Sequence, residues 1–160
     1  MTDLERLIAI EEIKRLKARY FRCIDMKDWD ELAMVFAVDA VFDATDARRS
    51  GPGNDTLFEK QGAAWVNTGR SHIVDFIRRT TEAVSTVHHG HMPEIEVLDK
   101  TEARGVWAME DFNKTIVNGK LLRSLHGFGH YWDSYECVGG IWFIKTSRLT
   151  RIRAKIDVSE

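Results

Sequence analysis

Apolar side chains return every three or four positions along the start of the chain: Leu4, Leu7, Ile8, Ile13, Leu16, Tyr20 and Ile24. That period lays one stripe along a helix from Asp3 to about Met26, and such a stripe must lie against something. Asp28, with Glu31 three residues on, suits the capping box of a second, short helix over "WDELAMVF". The segment "AVFDATDA" then alternates like a short strand. After it, Asp46 to Gly69 is rich in glycine and polar residues and has no period, so it predicts a long loop of the kind that covers a site. Ser71 is placed to cap a third helix, "HIVDFIRRTTEAV", whose Ile73, Phe76 and Ile77 share one face.

From there the period changes to two. "VHHGHMPEIEVLD", "EARGVWAMEDFNKTI", "LLRSLHGFGHYWDSYEC" and "GIWFIKTSRLTRIRAKI" read as strands separated by "DKT", "VNGK" and "VGG". Strands of this length must twist, and Gly105, Gly127 and Gly129 are natural bending points. Helices followed by a meander of four antiparallel strands predict an α+β fold, with the sheet wrapped over the long first helix.

A chain of 160 residues, 44% hydrophobic, suffices for one core and is short for two, so residues 1–160 read as a single domain. The formal net charge of −2 and the lack of a basic block interleaved with aromatics argue against nucleic acid. Cys23 and Cys137 stand far apart without CxxC spacing, and read as buried free thiols of a reducing compartment. With neither a secretory-type apolar segment nor a membrane-length run, the expectation is a cytoplasmic protein that does not enter the membrane.

Candidate chemistry concentrates in "TVHHGHMPEIEV", where His88, His89 and His91 crowd together. In a strand His89 and His91 share a face and His88 points the other way. His89, His91 and Glu96 offer a partial metal-binding pattern, but a metal site needs three or four convergent ligands and no second motif supplies the remainder. The plainer reading leaves His89 and His91 as scaffold. On the next strand Trp107, Met109 and Asp111 alternate onto one face, which puts Asp111 at the end of an apolar lining and turns Glu110 away. Asp25, close to the C-terminal end of a helix, opposes the helix dipole, a local mismatch of the kind found at functional sites.

Four blocks, "ARYFRCIDMKDWDEL", "HHGHMPEIEV", "ARGVWAMEDFN" and "YWDSYECVGGIWFIKTSRLTRIR", occur here in the order in which similar segments occur in the bacterial bile-acid 7α-dehydratases. By these blocks the chain resembles the SnoaL-like group of the NTF2-like superfamily. The resemblance implies a cone of helices on a curved sheet enclosing one pocket, homo-oligomeric assembly as a dimer or trimer, no cofactor, and a hydrophobic small molecule as substrate. Carried over residue by residue, it implies a site of Tyr20, Asp25, His88, Asp111 and Arg151.

The implied roles agree with the chemistry of the side chains. Histidine titrates near neutrality, and a carboxylate on its other ring nitrogen fixes the tautomer, so Asp25 can orient His88 as general acid and base. Tyr20 is suited to donate to a carbonyl oxygen that gains enolate charge, with Asp111 and Arg151 positioning substrate or assisting proton transfer. The expected activity is a dehydratase acting on a cyclic or steroid-like hydroxy-ketone. An isomerase or cyclase built on the same residues and a non-catalytic binding domain are the alternatives. Tyr20 and Asp25 lie about 140° apart around an ideal helix, so both serve one cavity only if it wraps the helix end. Tyr20 as plain core, and Arg151 as part of a basic strand edge with Arg148 and Arg153, are the competing readings.

Overall fold

The computed structural model describes residues 1–48 and 65–158. Helix α1 (Asp3–Met26) starts in a full capping box: the Thr2 hydroxyl accepts the Glu5 amide at 3.2 Å, and the Glu5 carboxylate accepts the Thr2 amide at 2.6 Å. It stops at Lys27, whose left-handed φ of 60° breaks the helical path. The packed face differs from the apolar stripe read in the sequence. Ala9, Ile13, Leu16, Tyr20, Phe21 and Ile24 are buried, whereas Leu4, Leu7 and Ile8 are exposed, so the buried face begins at Ala9.

Helix α2 (Trp29–Ala33) is capped by Asp28, which accepts the Glu31 amide at 3.1 Å. It is shorter than "WDELAMVF" predicts. Phe36 already belongs to strand β1 (Phe36–Asp43), and the Ile144 amide bonds the Val35 carbonyl at 3.0 Å, which draws the chain into the sheet. The segment expected as a long loop, Asp46 to Gly69, begins within a 3₁₀ turn (Thr45–Arg48) and near its end contains a short strand, β2 (Val66–Thr68), that the sequence did not predict; residues 49–64 between them lie outside the described residues. Ser71 does not cap helix α3 (Arg70–Thr81). Gly69 occupies that position at φ 92°, its amide held by the Ala40 carbonyl at 2.8 Å, so the helix starts directly from the β2 end and Ser71 falls inside its first turn. Ile73, Val74, Phe76 and Ile77 of α3 are buried.

Strands β3 (Ser85–Val97), β4 (Glu102–Val117), β5 (Lys120–Val138) and β6 (Ile141–Val158) form the expected antiparallel meander. It is part of a larger mixed sheet, ordered β2-β1-β6-β5-β4-β3, in which β1 runs parallel to β6. The parallel pairing was not legible because β1 and β6 are separated by most of the chain. Alternation sets the two faces: Ala103, Gly105, Trp107, Met109 and Asp111 of β4 face inward, as do Leu125, Gly127, Gly129, Tyr131, Asp133 and Tyr135 of β5.

A buried polar cluster ties α1 to this inner face. Lys17, fully buried in mid-helix, reaches Asp133 Oδ2 at 2.7 Å, the Tyr135 hydroxyl donates to the same oxygen at 2.9 Å, and Trp107 Nε1 donates to the Tyr135 hydroxyl at 2.8 Å. The ammonium lies 3.7 Å from the centre of the Tyr131 ring. Burial pulls the Lys17 pKa down, and the adjacent Asp133 carboxylate opposes that loss of charge.

Candidate active site

Between α1, α3 and the inner face of the sheet lies a cavity of about 570 Å³. Ile24, Phe42, Phe76, Ile77, Leu125 and Leu149 supply its apolar wall. Ala44, Ala47 and Trp65, which flank the segment 49–64, also face it. Four of the five residues expected at the site line it: Tyr20, His88, Asp111 and Arg151. The fifth, Asp25, sits behind the histidine.

Asp25 holds His88 twice. Its Oδ1 is 2.6 Å from His88 Nδ1, and its Oδ2 accepts the His88 backbone amide at 2.9 Å. The Thr86 hydroxyl also donates to Oδ1 at 2.9 Å, and Lys27 Nζ reaches that hydroxyl at 3.0 Å. Burial pushes the Asp25 pKa up, but the hydrogen bonds from His88 and Thr86 outweigh it and hold the carboxyl below its ordinary value. An ionised carboxylate can only accept, so the Nδ1 proton points at Asp25 and Nε2 is the ring nitrogen left for proton transfer. The angle between Tyr20 and Asp25 on the helix is thus no obstacle: Asp25 works through His88, and only Tyr20 faces the cavity directly.

Phe21 backs the imidazole, with ring planes 11° apart and centres 6.1 Å apart. This contact explains Gly90 of the "HHGH" run, because a β-carbon there would collide with Cε2 of Phe21.

Asp111 and Arg151 form a buried, two-pronged ion pair: Nη1 meets Oδ1 in a short contact and Nη2 meets Oδ2 at 2.8 Å, while Asn113 Nδ2 donates to Oδ2 at 2.9 Å. Asp111 is therefore a paired carboxylate at the end of the apolar lining, rather than a solitary acid. Burial works against the Arg151 charge, and Asp111 more than restores it, leaving the pKa raised. Gly127 makes room for the pair, since a β-carbon at that position would overlap both Arg151 Nη1 and Asp111 Oδ1. Its place is set by this approach rather than by a bend.

Arg151 does not belong to a basic edge. Arg148 bonds Asp46 at 2.7 Å, and Arg153 lies over the Phe128 ring on the opposite face, 4.8 Å from its centre. The β6 ladder skips Ile152 between Arg151 and Arg153, and that bulge turns two residues of the same parity to opposite faces.

Tyr20 meets Tyr131 edge-on, ring centres 5.7 Å apart. Burial raises both phenol pKa values, so each stays a neutral donor. The sequence reading passed over Tyr131. Its signal was present: it shares the parity of Gly127, Gly129 and Asp133 on β5 and therefore faces inward with them.

His89 and His91 lie on the outer face around Glu110, whose Oε1 is 3.5 Å from His89 Nδ1 and 3.6 Å from His91 Nε2. His126 approaches the other oxygen at 3.2 Å. Glu96, the third member of the partial metal pattern, is bound instead by Arg104 at 2.6 Å. Among the described residues no group of three or more His, Cys, Asp or Glu is arranged to hold a metal ion. Cys23 is buried and Cys137 half-buried, both as free thiols.

Known proteins share this architecture. Over 144 residues the chain is 24% identical to a probable cyclase of Gibberella zeae, covering 90% of this chain and 91% of that protein. A putative scytalone dehydratase from Novosphingobium aromaticivorans superposes with a TM-score of 0.75 at 19% identity, covering 99% of this chain and 94% of the other. A hexachlorocyclohexane dehydrochlorinase superposes with a TM-score of 0.76 at 16% identity, covering 99% and 95%. The SnoaL-like domain model matches residues 5–148, nearly the whole described fold, and the chain belongs to that family.

Proposed function

We propose that the protein is a cofactor-independent lyase that eliminates water from a hydrophobic cyclic hydroxy-ketone, steroid-like or of similar bulk. The observation that carries this reading is the doubly bonded Asp25–His88 pair presenting an imidazole to a mostly apolar cavity beside a neutral Tyr20.

The substrate carbonyl accepts a hydrogen bond from the Tyr20 hydroxyl, which Tyr131 helps to hold in place. His88 Nε2 removes the proton from the carbon next to the carbonyl, and the electron pair of that C–H bond moves into the enolate. Asp25 stabilises the resulting imidazolium. As the enolate collapses, the β-carbon–oxygen bond breaks, a carbon–carbon double bond forms, and the imidazolium returns its proton to the departing hydroxide. The products are an enone and water, with His88 neutral again. The Asp111–Arg151 pair fixes the polar end of the cavity and positions the hydroxyl that leaves.

A second reading, a cyclase using the same proton transfers, is favoured by the probable cyclase among the relatives. Incubating the protein with a panel of cyclic β-hydroxy-ketones and weighing the products separates the two. Loss of one water supports the lyase. A product of unchanged mass rejects it in favour of isomerisation or cyclisation.

A further inference from the structure

The polar end of the cavity holds an acceptor that the fold itself leaves unused. Asn113 follows Asp111 by two positions on β4, so both side chains project from the inner face, and both line the cavity. A carboxylate gripped by two guanidinium nitrogens is ionised and can only accept, so the Asn113 contact at 2.9 Å comes from its amide Nδ2. This fixes which way the amide lies: Oδ1 is turned away from Asp111. Among the described residues none donates to that oxygen. Nor is it sealed in the core, since the buried side-chain atoms left without a partner among the described residues are Asp133 Oδ1, Ser147 Oγ and Arg151 Nε. Asn113 Oδ1 therefore opens into the cavity that its side chain lines. The two oxygens of Asp111, by contrast, are already engaged, Oδ1 by Arg151 and Oδ2 by Arg151 and Asn113 together. Arg151 keeps donors in reserve, because each of its terminal nitrogens carries a second N–H beyond the one given to Asp111. A donor and an acceptor thus flank the same carboxylate.

Resting on the reading of this cavity as the site of water elimination, we propose that Asn113 selects a hydroxyl as the leaving group: its Oδ1 accepts the hydroxyl proton while Arg151 donates to the hydroxyl oxygen. A hydroxyl satisfies both partners at once. A halide or an ether oxygen in the same place accepts from Arg151 but has no proton for Asn113, and it leaves the amide oxygen unpaired once the ligand has displaced water. The contact also serves the departing group. When the carbon–oxygen bond breaks, the hydroxide keeps its own O–H on Asn113 Oδ1 and takes its second proton from the His88 imidazolium, so water leaves already held in place.

Two unreactive probes of one shape test this by titration calorimetry: matched enantiomers of 3-hydroxy-2,2-dimethyl-1-tetralone and of its 3-fluoro counterpart. The carbon between the ketone and the 3-substituent carries two methyl groups and no proton, so neither probe undergoes the elimination. Fluorine accepts where the hydroxyl oxygen does but has no proton to give. The alcohol is expected to bind about tenfold more tightly than the fluoride, the difference one hydrogen bond supplies. In Asn113→Leu the preference should vanish while the fluoride binds as before. In Tyr20→Phe, which alters the ketone end, the preference should persist. Circular dichroism checks each fold, and if Asn113→Leu does not fold, Asn113→Ala is measured and read the same way. Equal binding of alcohol and fluoride by the unaltered protein overturns the proposal, as does failure of both to bind. So does a preference that survives in the folded Asn113 variant, or a folded variant that loses both probes alike, which would make the role of Asn113 structural. Because neither probe can eliminate water, the result is independent of whether the cavity catalyses dehydration, which the masses of the products decide.

Discussion

His88 and Asp111 are direct register partners across the β3–β4 ladder, and both side chains face the cavity. The Asp25-held imidazole and the Arg151-held carboxylate are therefore neighbours on a rigid sheet, each fixed by a partner from another element. Positions set this way have little freedom to drift, which suits a proton transfer.

Replacing Tyr20 by Phe removes the donor aimed at the carbonyl and leaves the ring packing of Tyr20 on Phe36 and Tyr131 intact. The expected result is a fall in kcat of about a hundredfold or more, with KM changed far less. Steady-state kinetics on a water-eliminating substrate reads this split.

Lys17→Met should destabilise the fold by about 3–5 kcal/mol, because the Asp133 carboxylate then stays buried without its cation. Urea denaturation followed by circular dichroism measures it. The double variant Lys17→Met/Asp133→Leu, which removes both charges, should recover much of the loss.

Gly127→Ala should cost about 1–3 kcal/mol by overpacking, since its β-carbon overlaps the Arg151–Asp111 pair on both sides. Gly119→Ala, on a turn where an added β-carbon meets nothing within 4 Å, tests the strain of its φ of 76° instead. It should leave the cavity untouched and ligand binding unchanged. Comparing melting temperature and ligand affinity for the two variants separates crowding at the site from backbone strain at a turn.

Acid should weaken the fold through Asp25. Its folded pKa is depressed, so its contribution is fully present above the ordinary value of 3.8 and is lost as pH falls from there through the folded pKa. Asp25→Asn should be less stable than the parent at neutral pH, and the gap should narrow as pH drops below about 4. Thermal melts across a pH series check both the sign and the window.

Much of this site was legible in the sequence, and the omissions have physical reasons. The Ile13–Leu16–Tyr20–Ile24 period placed Tyr20 on the buried face, and strand parity separated His88 from His89 and sent Glu110 outward. Arg151 was obscured by the bulge at Ile152, which no alternation rule reveals, so only the family resemblance set it apart from the neighbouring Arg148 and Arg153. Lys17 went unremarked because a lysine beside an apolar stripe ordinarily reaches water, and only the register of β5 shows Asp133 waiting beneath it. The opposition of His88 and Asp111 likewise depends on how β3 and β4 align.

The central claim is that His88, oriented by Asp25, moves the proton. Its most direct test is kcat/KM for water elimination by the unaltered protein and by His88→Gln, with circular dichroism confirming that the variant folds. A loss of about a hundred- to ten-thousandfold is the predicted result. A folded His88→Gln variant within a few-fold of the parent would contradict it.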